Sequence, residues 1–199
     1  VQGTVAEGAA QYDQPGNPKF DAWFGDSKVV DAEGRPLVVY HGTGGDFTQF
    51  DPGRVGENYE KGDERGFFFT SNADEADWAA DRGAEVSGGN ANIMPVYLSL
   101  QDPYSVEVPS YAEARGLGDP SSYFDNNTDQ IMMAAEEGGH DGVVIANPER
   151  GYSTYIVFDP KQIKSATGNR GTFDPASPSI LEQQARGQIA LGADITQQP

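Results

Sequence analysis

Cysteine is absent from the 199 residues, and histidine occurs only as His41 and His140. The first absence removes disulfides, thiol nucleophiles and thiolate metal ligands, although it does not fix the cellular compartment. With two imidazoles far apart in unrelated contexts there is also little from which to build a zinc site, and no metal is expected. Basic residues are scarce: 13 Lys and Arg stand against 31 Asp and Glu, for a formal net charge of −18. A field of that sign repels phosphate, so neither an anionic membrane nor a nucleic acid finds a basic binding surface, though this does not exclude a nucleic acid as a reaction partner. Long apolar runs are missing as well. No stretch approaches the about 20 residues of a membrane span, and the first twenty residues carry no apolar signal core. The chain reads as a soluble protein of one domain plus tails.

Glycines and prolines, among them Gly3, Gly8, Pro15, Gly16 and Pro18, mark residues 1–19 as a linker. A domain over residues 20–175 is expected, followed by a linker or tail over 176–199. Phe20, Trp23 and Phe24 recur at helical spacing and predict a short helix. Leu37-Val38-Val39-Tyr40 is strand-like, and His41 falls at its end. The polar, glycine-rich stretch from Thr43 to Arg65 is long for a connection, and from Gly44 onward it suggests a mobile cover. Gly66-Phe67-Phe68-Phe69-Thr70 is the next strand, with Phe67 and Phe69 turned to one face as core and Phe68 to the other. Ser71 or Asn72 can cap a helix carrying a stripe of Ala73, Ala76 and Ala80. Strands follow at Met94–Leu100 and Val106–Val108, then a helix over Thr128–Glu137 that stops at Gly138-Gly139, then strands at Val143–Ile145 and Tyr155–Phe158. Ser179 with Glu182 has the spacing to open one more short helix. Strands broken by short helices without regular βαβ spacing predict an α+β fold.

His41 runs straight into Gly42 and Thr43. A ring at that point projects into a cleft while the glycine lets a ligand approach the backbone. Tyr40-His41-Gly42-Thr43, followed by Gly66-Phe67-Phe68-Phe69-Thr70-Ser71-Asn72 with Trp78 beyond it, resembles the first two motifs of the diphtheria-toxin-like and poly(ADP-ribose)-polymerase-like ADP-ribosyltransferases. Phenylalanine takes the usual tyrosine position at Phe68. Together with the stretch from Gln162 to Asn169, these segments look most like the ADP-ribosyltransferase domain found within very large polyvalent proteins of phages and mobile elements. The resemblance implies a split antiparallel β-sheet core with short flanking helices. It further implies that oxidised nicotinamide adenine dinucleotide (NAD) is bound as substrate, with contacts from His41, Gly42, Thr43, Phe67, Phe68, Ser71 and Trp78. His41 would hold the adenosine ribose and Gly42 the carboxamide, with Phe68 as a stacking face.

The family's third motif opens a strand with glutamate, and here Ser153-Thr154-Tyr155-Ile156-Val157-Phe158 puts Thr154 in that place. A hydroxyl can bond a ribose but cannot set a negative charge beside an oxocarbenium-like centre. Glu149, five residues earlier, is the nearby carboxylate. His41, Phe68, Thr154 and Glu149 are thus the catalytic candidates. Three readings remain open: a mono-ADP-ribosyltransferase that modifies a macromolecular acceptor, most simply a protein, and releases nicotinamide, an NAD- or ADP-ribose-binding module within a larger phage or toxin protein, or a structural linker domain of a large phage protein. Each setting implies a phage or bacterial chain, with delivery into a host or target cell as one route. His140, in Gly139-His140-Asp141-Gly142, is explained by turn chemistry. Asp125, Asn127, Asp129 and Glu136 imitate calcium-loop spacing, but Gln130 fills the glycine position.

Overall fold

The computed structural model describes residues 16–55, 65–108, 123–169 and 171–181. Among the described residues the α-helices and strands are, in chain order, α1 (Pro18–Phe24), β1 (Val39–Thr43), β2 (Phe67–Thr70), α2 (Ala73–Ser87), β3 (Asn92–Leu98), β4 (Tyr104–Glu107), α3 (Tyr123–Gly138), β5 (Gly142–Asn147), β6 (Tyr152–Val157) and β7 (Ile163–Ser165). The strands form one sheet in the order β4-β5-β6-β2-β1-β3-β7, antiparallel throughout except for β4 beside β5. This is an α+β fold.

Strand alternation sorts the side chains into layers. On one face Val39, Phe67, Phe69, Val96, Leu98 and Tyr155 form the main core, closed by Phe50 from the connection after β1 and Ile180 from the C-terminal stretch. On the other face α3 lays Ile131, Met132 and Ala135 over Val143, Ile145 and Ile156. A third cluster is aromatic. Phe20, Trp23 and Phe24 of α1 meet Tyr97 and Phe173, with Phe20 edge-on to Tyr97 at 4.9 Å and to Phe173 at 5.1 Å between ring centres. The helical spacing of the three α1 aromatics is what lets seven residues anchor this end, since so short a helix has little stability of its own.

Several boundaries differ from the sequence reading. β1 continues through His41 to Thr43 because β3 offers partners as far as Asn92, so His41 sits inside the strand opposite Met94. α3 starts at Tyr123, and Asp125, Asn127, Asp129 and Glu136 all lie on it, which leaves no calcium loop. Ser179 pairs with Gln49 in an isolated β-bridge, and Glu182, with which it was expected to open a helix, lies outside the described residues. Packed residues continue past 175 to Ile180, which is fully buried, and begin before Phe20, where Asn17 caps α1 by accepting from the Lys19 amide at 3.0 Å. Residues 1–15 and 182–199, most of the expected linkers, lie outside the described residues.

Candidate active site

β1 keeps five register pairs with β3, and β2 keeps four with β6, but β1 and β2 meet at one described pair, Tyr40 with Thr70. The sheet therefore splits between β1 and β2. Proline fixes which groups face the split. Pro95 stands opposite Tyr40 on β3 and has no N–H, so that pair cannot exchange hydrogen bonds, and alternation turns the N–H and C=O of Tyr40 and Gly42 toward β2. Tyr40 meets Thr70 there. Gly42, two residues on, presents its amide and carbonyl to the opening where β2 has already diverged.

The far side of Gly42 is sealed by α2. Asn72 caps this helix by accepting from the Asp74 amide at 2.9 Å, and the stripe of small residues that follows lies flat on β1, with Ala76 and Ala80 both buried. A Cβ added to Gly42 would sit 2.6 Å from the Ala80 nitrogen and 2.9 Å from the Ala79 Cβ, and would overlap the Ala76 carbonyl. Glycine is required here by close approach of two backbones rather than by an unusual dihedral angle.

His41 points to the main-core face, where its ring is edge-on to Phe50 at 4.9 Å and near Phe69 at 5.4 Å and Phe47 at 6.1 Å. Its Nδ1 lies 2.8 Å from the Phe68 carbonyl oxygen, across the split. A carbonyl only accepts, so Nδ1 carries the hydrogen and Nε2 is the acceptor in the neutral ring. Burial pushes the imidazole below its ordinary value of 6.5, and the bond to Phe68 opposes this only in part. The geometry thus holds a neutral, oriented imidazole beside the Gly42 backbone.

The remaining candidates fall into two groups. Thr154 stands directly opposite Thr70, and its side chain leaves the same face as that of Phe68, two residues along β2. Phe68 is half-buried and packs toward the α3 layer, so its carbonyl rather than its ring meets His41. Ser71 closes the end of β2 onto β6, its Oγ accepting from the Ser153 amide at 2.9 Å. Glu149 is exposed in the turn joining β5 to β6, beyond the Asn147–Tyr152 pair. Thr43 is buried, and Phe67 belongs to the main core. Trp78 is not brought to Gly42. It is 63% exposed, because the helical period that seats Ala76 and Ala80 on β1 turns residue 78 outward.

The aromatic box around His41 was missed in the sequence, where Phe47 and Phe50 sat in a polar stretch that read as a cover. As far as Val55 that stretch is anchored, with Phe50 buried and a 3₁₀ turn at Pro52–Arg54; residues 56–64 lie outside the described residues. The isolated apolar rings were the available signal. Phe47 and Met94, both neighbours of His41, also wall a groove of about 340 Å³ that continues to Leu181. Among the described residues no three His, Asp or Glu groups converge as a metal site, and no helix is long and apolar enough to cross a membrane.

A sequence model described as ADP-ribosyltransferase in polyvalent proteins matches residues 31–173. No curated protein and no solved structure gives a match. The matched span covers most of the chain and contains the split between β1 and β2, His41, Gly42 and the Thr154 strand, and the chain belongs to the ADP-ribosyltransferase family of polyvalent proteins.

Proposed function

We propose that this protein is a mono-ADP-ribosyltransferase that takes NAD into the split and passes ADP-ribose to a protein acceptor. The observation that carries the reading is the Gly42 backbone, aimed into an opening beside a neutral His41. A carboxamide needs one donor and one acceptor, and the Gly42 amide and carbonyl supply the complementary pair. The Nε2 of His41 accepts a ribose hydroxyl, and the groove along Phe47 and Met94 gives the adenosine end a path. Phe68, half-buried on β2, borders the nicotinamide end of the split.

In the reaction the bond between ribose C1′ and the nicotinamide nitrogen breaks, and its electron pair neutralises the pyridinium ring. An acceptor lone pair then forms the new bond to C1′ and the acceptor loses a proton. Positive charge grows on the ribose between these events, and a fixed carboxylate is the natural way to stabilise it. Thr154 provides a hydroxyl for the ribose instead. Glu149 stands at the tip of the β5–β6 turn, on the order of 10 Å along the hairpin from Thr154, and is better placed to take the acceptor proton than to face C1′. A slow or acceptor-dependent transferase follows from this arrangement.

The Thr70–Thr154 pairing also favours a second reading, an NAD-binding module without turnover. Nicotinamide release by the wild type, Thr154→Glu and Glu149→Ala separates the two. The transferase reading expects release above the buffer control, a rise of about 10- to 100-fold for Thr154→Glu and a loss of acceptor labelling for Glu149→Ala. Binding by calorimetry with no release from any of the three would leave the binding module standing.

A further inference from the structure

Lysine is rarely buried unless its amine is satisfied, yet Lys164 on β7 is fully buried. Its Nζ donates to the carbonyl oxygens of Ser177 at 2.7 Å and Ser179 at 2.9 Å. Those carbonyls belong to an extended strap, residues 177–181, that lies beyond the span matched by the family. The strap is stitched on both sides. Toward β7, the Ser165 amide and the Asn169 side-chain amide both donate to the Ile180 carbonyl, at 3.0 and 3.3 Å. Toward the connection after β1, the Ile180 amide donates to the Thr48 carbonyl at 2.9 Å and Ser179 bridges Gln49.

Thr48 and Gln49 sit between Phe47 and Phe50, the two rings that flank His41 and stand edge-on to each other at 4.8 Å. A continuous set of contacts therefore runs from Lys164 through the strap to the aromatic box. An apolar residue would fill the same volume at lower desolvation cost, so core packing alone does not account for an amine that gathers two carbonyls of the strap.

We propose that Lys164 is a positioning residue for the NAD site: by tethering the 177–181 strap it holds Phe47 and Phe50 against His41 and so fixes the imidazole across the split. The proposal rests on the reading of His41 as a ligand-binding group, but one of its two readouts needs no ligand. In the full chain, Lys164→Met keeps volume and removes the donors. Followed by NMR, the His41 imidazole should then titrate closer to its ordinary value as the box loosens and water reaches the ring, and NAD affinity by calorimetry should fall on the order of tenfold. Phe24→Leu, a core loss in the α1 aromatic cluster, which contains neither the His41 box nor the Phe68 and Thr154 face, should move neither quantity. Should Lys164→Met fail to fold, the wild type decides the matter, since coupling is reciprocal: saturating NAD should slow hydrogen exchange at the Ile180 amide. A folded Lys164→Met with unchanged His41 titration and unchanged affinity overturns the proposal, as does Ile180 exchange indifferent to bound NAD. A wild type that binds no NAD while Lys164→Met still shifts the His41 titration would sink the NAD reading and leave the tether intact.

Discussion

Gly42→Ala is the smallest change that tests the site and its packing together. The new methyl meets backbone atoms of α2, not the yielding ends of side chains, so a rotamer change cannot relieve it. Restoring ordinary contact with the Ala80 nitrogen alone requires α2 to withdraw by about 0.8 Å, and the overlap with the Ala76 carbonyl asks for more. Ala76 and Ala80 are at most 2% exposed, so that displacement opens space along the whole α2–β1 contact. Overpacking of this kind costs about 2 to 3 kcal/mol, which for a chain of this size lowers the melting temperature by roughly 5 to 10 °C. Gly45 supplies an internal control, because a Cβ there meets nothing within 4 Å and its φ is not in the left-handed region. Gly45→Ala should be neutral or stabilising by up to about 1 kcal/mol. Urea unfolding and thermal scans of the three proteins measure the first effect, and calorimetric titration with NAD measures the second: binding should weaken in Gly42→Ala because the displaced backbone no longer meets the carboxamide squarely. A Gly42→Ala protein as stable as Gly45→Ala would refute the packing argument, and one with wild-type affinity would remove the Gly42 backbone from the site.

His41 is held below its ordinary value of 6.5, so on acidification the unfolded chain takes up that proton before the folded one does. The stability it contributes is present above the unfolded value and is lost as pH falls through it toward the lowered folded value. NAD affinity should fall in the same direction, since protonation converts the Nε2 acceptor into a donor; urea midpoints and calorimetry between about pH 7.5 and about pH 5.5, with His41→Asn as the reference lacking this titration, check both. Phe50→Ala removes a buried ring shared by His41, Phe67 and Phe69 and should cost about 3 to 5 kcal/mol. Phe68→Ala, at a half-buried position, should cost less stability than Phe50→Ala, and equal losses in urea unfolding would contradict the different burial of the two rings. Trp78→Ser should leave NAD affinity within about twofold, because a residue on the outer side of α2 is a surface position away from the site; a tenfold loss would place Trp78 in contact with the ligand.

Local rules written in neighbouring residues were legible without a structure. The helical spacing of Phe20, Trp23 and Phe24, the Asn72 cap with its alanine stripe, and the alternation that separates Phe68 from Phe67 and Phe69 all depend on residues within a few positions of each other, and each appears in the fold. The Tyr40-His41-Gly42-Thr43 motif lies on β1, where its apolar lead-in predicted a strand. The site itself was decided by contacts between segments distant in the chain. That Gly42 presents its backbone to an opening depends on Pro95 lying opposite Tyr40 and on β2 leaving β1 after one pair. That His41 is neutral and oriented depends on a carbonyl 27 residues away and on two phenylalanines that no periodicity marked. The strap was read as tail because glycine, proline and serine predict irregular backbone correctly, and irregular backbone says nothing about burial. Lys164 and Ile180 are buried because β7 and the connection after β1 leave a slot between them, and a slot of that kind exists only once the chain has closed on itself.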